Sequence, residues 1–159
     1  MADLLQPGDK APDFDLPGPD GDIRLADMKG KTVVLYFYPK DDTPGCTNEA
    51  KGFTEAAADF RKAGAVVVGV SKDTVAKHAK FRDKYGLDVA LGSAADNDTV
   101  ERYGAWVSKR LYGRDYMGID RSTYVIDGQG VIRRVWRKVR VPGHVQEVLA
   151  AVRDLEAAA

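Results

Sequence analysis

The sequence predicts an α/β domain with a central mixed β-sheet and helices on both faces. Two observations support this class. Short runs of β-branched and aromatic residues alternate with segments whose apolar residues recur every three or four positions, the pattern of strands alternating with helices. Near the C-terminus, two strand-like runs, Thr123–Ile126 and Val131–Trp136, flank the hairpin-turn sequence Asp127–Gly130. Strand–helix alternation gives parallel strands and a hairpin gives antiparallel ones, so the predicted sheet is mixed.

Length and composition fit a single domain over residues 1–159, with its core at about residues 4–156 and a frayed end at Ala157–Ala159. There are 24 Lys and Arg residues and 24 Asp and Glu residues, so no overall charge favours nucleic acid or a membrane surface as partner. The N-terminus Met1–Pro7 lacks the basic start and apolar stretch of a signal peptide. The longest apolar run, Val33–Tyr38, is too short to cross a membrane, so we expect a cytoplasmic protein.

The first part of the chain predicts an irregular segment followed by a buried strand. Residues 7–22 are rich in Pro, Gly and Asp, and Phe14 and Leu16 are the apolar anchors of this segment. Thr32–Tyr38 is β-branched and aromatic and apolar on both faces, as expected of a central strand, and Pro39 ends it.

An amphipathic helix and a second buried strand follow. The helix ends at Gly64, and its apolar residues, at spacings of three and four, are Ala50, Phe53, Ala57 and Phe60. The strand Ala65–Val70 is again apolar on both faces. This pair repeats the strand–helix order that predicts a parallel part of the sheet.

Three further helices complete the predicted architecture, and the second of them is only one or two helical turns, opened by Asp96 or Asp98 and running through Val100 and Tyr103. Asp73 or Thr74 caps the first of them, which ends at Gly86, and Leu87–Leu91 is a short strand after it. The last helix runs from about residue 143 to 155 and carries one apolar face.

Cys46 is the single cysteine of the chain, which excludes an internal disulfide, a CxxC redox pair and a cysteine-rich structural zinc site. It lies where a buried strand leads into a helix, the place at which open α/β sheets bind ligands. With Thr43 as helix cap and Pro44 in the first helical position, Cys46 falls in the first turn, where free N–H groups favour a thiolate. Cys46 is therefore either a reactive nucleophile or a buried structural cysteine.

The remaining polar patterns predict no second site. His78 and His144 lie on predicted helices without a second ligand nearby, so we interpret them as solvated or helix-end histidines and expect no metal and no other cofactor. The basic run Arg133–Arg140 alternates with apolar residues, which favours a solvated strand face over a nucleic-acid contact.

Three separated segments resemble one known family. Pro39, Thr43 and Cys46 match the P-x-x-x-[TS]-x-x-C signature of the peroxiredoxins, and the surrounding string YFYPKDDTPGCTNEA resembles their Q subfamily, the bacterioferritin comigratory protein type. Tyr116–Asp127 resembles the GI-x-RSTF-x-ID strand of that subfamily, and Val135–Leu149 resembles its C-terminal pattern. The resemblance covers nearly the whole chain and implies a thioredoxin-like fold.

The resemblance implies a thiol-dependent peroxidase that reduces hydrogen peroxide and organic hydroperoxides to water or alcohol. Cys46 would be the peroxidatic thiolate, which attacks the terminal peroxide oxygen and becomes a sulfenic acid. Thr43 would hydrogen-bond the peroxide, and Pro39 would keep water from the thiolate. Arg121 would stabilise the thiolate and the departing oxygen, together with the backbone N–H groups of Gly45 and Cys46. Without the resemblance, Thr43 is a helix cap and Arg121 a solvated arginine at a strand end.

The chain departs from this subfamily in one respect that bears on mechanism. Many members have a resolving cysteine five residues after the first or in the following helix, but here position 51 is Lys51 and Ala79–Tyr85 contains no cysteine. We therefore predict a one-cysteine cycle in which an external thiol reduces the Cys46 sulfenic acid: thioredoxin, glutaredoxin, glutathione or another small thiol. The resemblance also implies a monomer, and a catalytically silent interaction module stays the alternative.

Overall fold

The computed structural model describes residues 4–158. Two predictions involve residues outside this range. The N-terminus predicted to lack a signal peptide includes Met1–Asp3, and the predicted frayed end includes Ala159. Within residues 4–158, no helix is both long enough and apolar enough to span a membrane.

Nine strands, one 3₁₀ helix (Leu25–Met28) and five α-helices form residues 4–158. The strands are β1 (Asp15–Leu16), β2 (Ile23–Arg24), β3 (Thr32–Phe37), β4 (Ala65–Ser71), β5 (Ala90–Ser93), β6 (Trp106–Leu111), β7 (Arg114–Ile119), β8 (Ser122–Ile126) and β9 (Ile132–Trp136). The α-helices are α1 (Pro44–Glu55), α2 (Ala57–Lys62), α3 (Val75–Tyr85), α4 (Thr99–Arg102) and α5 (His144–Ala158).

The main sheet has five strands in the order β5-β4-β3-β8-β9. β3 is parallel to β4, and β4 to β5, whereas β8 is antiparallel to both β3 and β9. Leu35 in β3 lies opposite Val68 on one side and Tyr124 on the other, and all three are fully buried. The predicted mixed sheet is confirmed, and the run predicted to be a central strand lies in its middle.

Successive side chains of β3 pack into two hydrophobic clusters, one on each face of the sheet. The first cluster joins Tyr36 to helices α1, α2, α3 and α5 through Phe53, Phe60, Phe81 and Leu149. The second joins Leu35 and Phe37 to α4 and the N-terminal segment through Phe14, Leu16, Val100 and Tyr103. Helices therefore cover both faces as predicted, and Phe14 and Leu16 are the anchors that the sequence indicated.

The helix predicted to run unbroken to Gly64 is two helices, α1 and α2. Ala56 separates them with φ −92° and ψ 4°, outside the α-helical region, so the chain turns at this residue. Phe53 and Phe60 lie on either side of the turn and pack against each other with ring centroids 5.7 Å apart. The apolar spacing therefore predicted the buried face correctly, but the sequence did not indicate the break.

The ends of α3 follow the prediction, but the strand after it does not. Thr74 caps α3 by accepting a hydrogen bond from the Lys77 N–H, and Gly86 ends it in the left-handed conformation. The strand predicted at Leu87–Leu91 is instead β5, which begins at Ala90. The Leu87 N–H donates to the Arg82 carbonyl and so belongs to the helix end.

The hairpin formed by β6 and β7 was not predicted. Its two strands pair in register from Trp106 with Ile119 to Leu111 with Arg114. The turn residues Tyr112 and Gly113 both have positive φ, as a two-residue hairpin turn requires, but tyrosine is not a usual residue there. The strands are also largely exposed and charged, so no hydrophobic pattern marked them. The segment predicted to be irregular likewise contains β1, which pairs with β2 over only two residues.

Candidate active site

Cys46 lies in the first turn of α1, directly after the loop that follows the central strand β3. Thr43 precedes the helix in the N-cap position, but its hydroxyl does not cap α1. Instead, Thr43 Oγ1 donates to the Lys40 carbonyl at 2.8 Å, and the Thr43 carbonyl accepts from the Thr47 N–H. The interpretation of the Thr43 hydroxyl as a simple helix cap is therefore wrong.

Arg121 reaches the Cys46 sulfur from the segment between β7 and β8. Its Nη2 donates to Cys46 Sγ at 3.3 Å, and Cys46 is only 1% exposed. The Arg121 side chain is 17% exposed, so the alternative of a solvated strand-end arginine is wrong. Cys46 is buried, as its structural interpretation required, but its sulfur contacts a guanidinium rather than only apolar atoms. A positive charge beside the sulfur is the setting of a reactive cysteine.

Glu49 completes this arrangement and was not singled out from the sequence as a site residue. Its side chain is fully buried, and its Oε1 accepts from Arg121 Nη1 at 2.7 Å, while no residue in the described range donates to Oε2. Burial raises the pKa of Glu49 to about 7, and Arg121 only partly opposes this. The spacing of three residues from Cys46 places both on one side of α1, which is the signal that could have identified Glu49.

Arg121 is charged although it is largely buried. Burial lowers its pKa, but the Glu49 and Cys46 side chains outweigh this effect and raise the pKa above its ordinary value. Gly45 leaves room for the guanidinium: a Cβ at this position would lie 3.1 Å from Arg121 Nη2. The start of α1 therefore holds a cation whose two nitrogens donate to a carboxylate and to the thiol sulfur.

The structure brings Thr43, Gly45, Cys46 and Arg121 together at the start of α1. Pro39 follows β3 by two residues and is exposed at the beginning of the same loop. Its position in the chain, four residues before Thr43, agrees with the signature.

Both histidines are buried, so the prediction that they are solvated is wrong, although His144 is the first residue of α5 and does lie at a helix end. His78 is fully buried, with Nδ1 2.7 Å from Asp41 Oδ2 and Nε2 3.0 Å from the Gly92 carbonyl. His144 Nε2 lies 2.8 Å from Thr123 Oγ1, and burial lowers the pKa of His144 to about 4. Hydrogen-bonding partners for the ring nitrogens allow both side chains to be buried. Residues 4–158 contain no group of three His, Cys, Asp or Glu side chains arranged to hold a metal ion.

The raised pKa of Glu49 predicts a pH-dependent stability that Glu49→Gln removes. Between pH 4.5 and about 7, the folded chain keeps a proton on Glu49 that the unfolded chain has released. The resulting stability is complete below pH 4.5 and is lost as the pH rises to about 7. Relative to E49Q, the wild-type free energy of unfolding should fall across this window by on the order of 3 kcal/mol, which urea titrations at several pH values measure.

His144 titrates in an overlapping window with the opposite effect. Burial lowers its pKa to about 4, so the unfolded chain binds the extra proton and stability rises with pH. Both proteins in the comparison contain His144, so the difference between them removes its contribution. A wild-type-minus-E49Q difference that stays constant with pH would show that Glu49 does not titrate as described.

Comparison with known proteins relates this site to a family. The sequence profile of the AhpC/TSA family matches residues 7–135, most of the chain. The putative peroxiredoxin bcp of Coxiella burnetii is 52% identical over 146 residues, which cover 91% of this chain and 97% of that protein. The chain belongs to the AhpC/TSA family. Another relative in the family, peroxiredoxin Bcp of Bacillus subtilis, is 44% identical over 152 residues, covering 95% of this chain and 97% of that protein.

Two solved structures show the same fold. PrxQ of Xylella fastidiosa matches with a TM-score of 0.90 at 33% identity and covers 96% of this chain and 98% of its own. The bacterioferritin comigratory protein of Xanthomonas campestris, studied for its alkyl peroxide reduction activity, matches with a TM-score of 0.85 at 38% identity, covering 90% of this chain and 92% of its own. The thioredoxin-like fold and the Q-subfamily resemblance predicted from the sequence are thereby confirmed.

Membership of the AhpC/TSA family also confirms the predicted activity. The relatives are peroxiredoxins, so the chain is a thiol peroxidase that uses a peroxide as substrate and a thiol as reductant. Cys46 is the one cysteine of the sequence, and it is not part of a disulfide. A resolving cysteine is therefore lacking in this chain, as predicted.

Proposed function

We propose that Cys46 is the residue that this thiol peroxidase oxidises, by a one-cysteine mechanism. The contact between Arg121 Nη2 and Cys46 Sγ at the start of α1 carries the proposal. The Cys46 thiolate attacks the terminal oxygen of hydrogen peroxide or an organic hydroperoxide, so that an S–O bond forms and the O–O bond breaks. The terminal oxygen keeps its hydrogen in the resulting sulfenic acid, and the leaving oxygen takes a proton and departs as water or alcohol.

The neighbouring groups have separate roles in this proposal. Arg121 stabilises negative charge, first on the sulfur and then on the departing oxygen, through a planar set of donors. The Thr43 hydroxyl, whose single proton goes to the Lys40 carbonyl, accepts a hydrogen bond from the peroxide, and the backbone N–H groups of Gly45 and Cys46 donate to the peroxide oxygens. Pro39 shields the sulfur from water at the beginning of the loop. The contact between Arg121 and Cys46 supports the role of Arg121, and the burial of Cys46 agrees with a sulfur that is kept from water.

The second half of the cycle needs a thiol from another molecule. An external thiol attacks the Cys46 sulfenic acid, giving a mixed disulfide and water, and a second thiol then releases the reduced enzyme and a disulfide. Thioredoxin, glutaredoxin, glutathione or another small thiol fits this chemistry. The cytoplasm is part of the proposal because a reducing compartment returns a lone sulfenic acid to the thiol, and we propose that the chain acts as a monomer.

Stopped-flow oxidation by hydrogen peroxide, followed by intact-mass analysis, tests the proposal. We expect the wild type to react at least about 10³-fold faster than free cysteine and to gain the mass of one oxygen atom, because several groups stabilise the departing oxygen together. Adding a small thiol should replace that oxygen by a mixed disulfide. Cys46→Ser, which has nearly the same volume, should show neither change and no peroxide turnover.

Two outcomes would contradict the proposal. Oxidation of the folded wild type at the rate of free cysteine would mean that the site does not activate Cys46. Peroxide turnover in Cys46→Ser would mean that another residue carries the reaction.

A further inference from the structure

The loop between β3 and α1 is anchored to the protein interior through Asp41. Three hydrogen bonds hold this buried residue, and they come from three different elements. The Tyr38 hydroxyl donates to Asp41 Oδ1 at 2.5 Å, and His78 Nδ1 lies 2.7 Å from Asp41 Oδ2. The backbone N–H of Asp41 donates to Asp73 Oδ2 at 2.8 Å. The middle of the loop is thus held by Tyr38, the residue directly after β3, by α3 and by the segment that precedes α3.

The two ring nitrogens of His78 define where its protons lie. Nε2 is 3.0 Å from the Gly92 carbonyl, which only accepts hydrogen bonds, so Nε2 carries a proton. The contact between Nδ1 and the Asp41 carboxyl is attractive only when one proton lies between them, whether histidine or aspartate carries it. The His78–Asp41 pair therefore shares one proton away from solvent. Removing one member would leave a polar atom of the other buried without a partner.

The next residue of the loop is held by the same helix. Asp42 has a φ of 60°, a left-handed conformation that a residue with a side chain rarely adopts. Its carboxylate accepts from Lys84 Nζ at 2.8 Å and from the Tyr85 hydroxyl at 2.5 Å, both in the last turn of α3. Helix α3 therefore holds two consecutive loop residues in a conformation that the loop alone would not favour.

This part of the loop lies inside the turn that positions the reactive groups. Thr43 Oγ1 donates to the Lys40 carbonyl, so the turn encloses Asp41 and Asp42. The Thr43 carbonyl then accepts from the Thr47 N–H in the first turn of α1, which contains Cys46. A shift of Asp41 would therefore be passed on to the Thr43 hydroxyl and to the N–H groups beside the sulfur.

We propose that His78 is a positioning residue for the peroxidase reaction, which acts through Asp41 on the loop that orients Thr43 and Cys46. The inference rests on the proposed function of Cys46. Within residues 4–158, His78 has no hydrogen bond to Cys46 or Arg121. Its ring nitrogens lie within hydrogen-bond distance of Asp41, the Gly92 carbonyl and, at 3.4 Å, the Tyr38 hydroxyl. Its loss should therefore affect the geometry of peroxide binding more than the nucleophilicity of the sulfur.

Two pairs of variants test whether the contact between His78 Nδ1 and the Asp41 carboxyl, rather than the other contacts of these side chains, is what matters. In His78→Asn the amide nitrogen takes the place of Nδ1 and keeps the contact with Asp41, whereas His78→Gln keeps the contact with Gly92 and loses that with Asp41. In Asp41→Asn the amide oxygen accepts from Tyr38 and the amide nitrogen donates to His78, so the geometry persists without the charge. Asp41→Ala removes both contacts.

Two rates are measured for each variant: oxidation of Cys46 by hydrogen peroxide, and alkylation of Cys46 by iodoacetamide. We expect oxidation of H78Q and D41A to be about 10–100-fold slower than wild type, since displacement of reacting groups by about 1 Å costs up to about 10²-fold. H78N and D41N should oxidise at close to the wild-type rate. Alkylation does not need a bound peroxide and should change little in all four.

Tyr103→Phe is the control for a general loss of stability. Tyr103 is fully buried on the other face of the sheet and donates to the Pro12 carbonyl, so the variant loses a buried hydrogen bond far from the loop. Oxidation of Tyr103→Phe should match wild type. Fast oxidation in folded H78Q and D41A would overturn the inference, and so would a parallel fall in oxidation and alkylation that Tyr103→Phe shares.

The inference can fail separately from the proposed function. Slow oxidation of the wild type itself would contradict the proposed function, whereas fast oxidation of the wild type and of all four variants would contradict only the role of His78. Should D41A fail to fold, the comparison of H78N with H78Q decides the question. Equal oxidation rates in those two variants would overturn the inference.

Discussion

Replacing Arg121 with alanine is expected to slow the oxidation of Cys46 by hydrogen peroxide about 10²–10³-fold, the usual cost of removing one donor that stabilises developing negative charge. Arg121 Nη2 donates to Cys46 Sγ at 3.3 Å, and the 17% exposure of its side chain means that water does not readily replace it. Within residues 4–158, no other guanidinium donates a hydrogen bond to this sulfur. Stopped-flow measurement of the second-order rate constant tests this.

Arg121→Ala should also destabilise the protein, for a different reason. Glu49 is fully buried and its Oε1 accepts from Arg121 Nη1 at 2.7 Å. Above about pH 7, where Glu49 is ionised in the wild type, the variant must either bury this carboxylate without its cation or take up a proton there. Breaking a buried ion pair from one side typically costs about 3–5 kcal/mol. Adding Glu49→Gln removes the charge, so the double variant should regain much of the free energy of unfolding and none of the oxidation rate. Urea denaturation and stopped-flow kinetics on the same samples separate the two effects.

Arg137→Ala is a matched control for this experiment. Arg137 is another half-buried arginine, and its Nη2 donates to the Leu5 carbonyl rather than to the sulfur. Its removal should lower the free energy of unfolding while the oxidation rate stays close to wild type. If the double variant Arg121→Ala/Glu49→Gln oxidised as fast as wild type, the slow rate of Arg121→Ala would come from the uncompensated Glu49 charge and not from the loss of the donor.

The parts of the fold that were predicted correctly are those in which the residue pattern of one segment is enough to identify the element. The apolar runs at β3 and β4 indicated central strands, because a strand that is buried on both faces is apolar at nearly every position. This pattern can be recognised without knowing which elements pack against the strand. The β6–β7 hairpin has exposed, charged strands and turns at Tyr112 and Gly113, so neither hydrophobic spacing nor a usual turn sequence marked it. The break at Ala56 lies between Phe53 and Phe60, which both pack into the first hydrophobic cluster. Their packing is set by the tertiary structure, so the local sequence did not indicate the break.

The site residues likewise fall into those that the local sequence identified and those that only the tertiary structure brings together. Cys46 and Thr43 lie close together at a strand–helix junction, so their position was visible in the sequence, and resemblance added Arg121. Glu49 was missed because an acidic residue near a helix start is expected at the surface, and its partner Arg121 lies 72 residues further along the chain. His78 was misinterpreted because it lies on a helix rich in lysine, and only the fold brings Asp41 against it.

Thr43→Val is expected to slow peroxide oxidation of Cys46 by about 10²-fold, while Thr43→Ser keeps most of the rate. Valine preserves the volume and the branched Cβ of threonine but has no hydroxyl to accept a hydrogen bond from the peroxide. A loss of this size corresponds to the removal of one group that stabilises the transition state. The rates of both variants are compared with wild type by stopped flow.

Thr74→Val is the control that separates this role from helix capping. Thr74 Oγ1 accepts from the Lys77 N–H and caps α3, whereas Thr43 Oγ1 donates to an exposed carbonyl and caps no helix. Thr74→Val should therefore lower the free energy of unfolding by about 1 kcal/mol and leave oxidation close to the wild-type rate. Thr43→Val should show the reverse, with a large loss of rate and a stability cost no greater than that of Thr74→Val. If Thr43→Val lost stability and kept its rate, the hydroxyl would serve the fold of the loop, and the peroxide would bind without it.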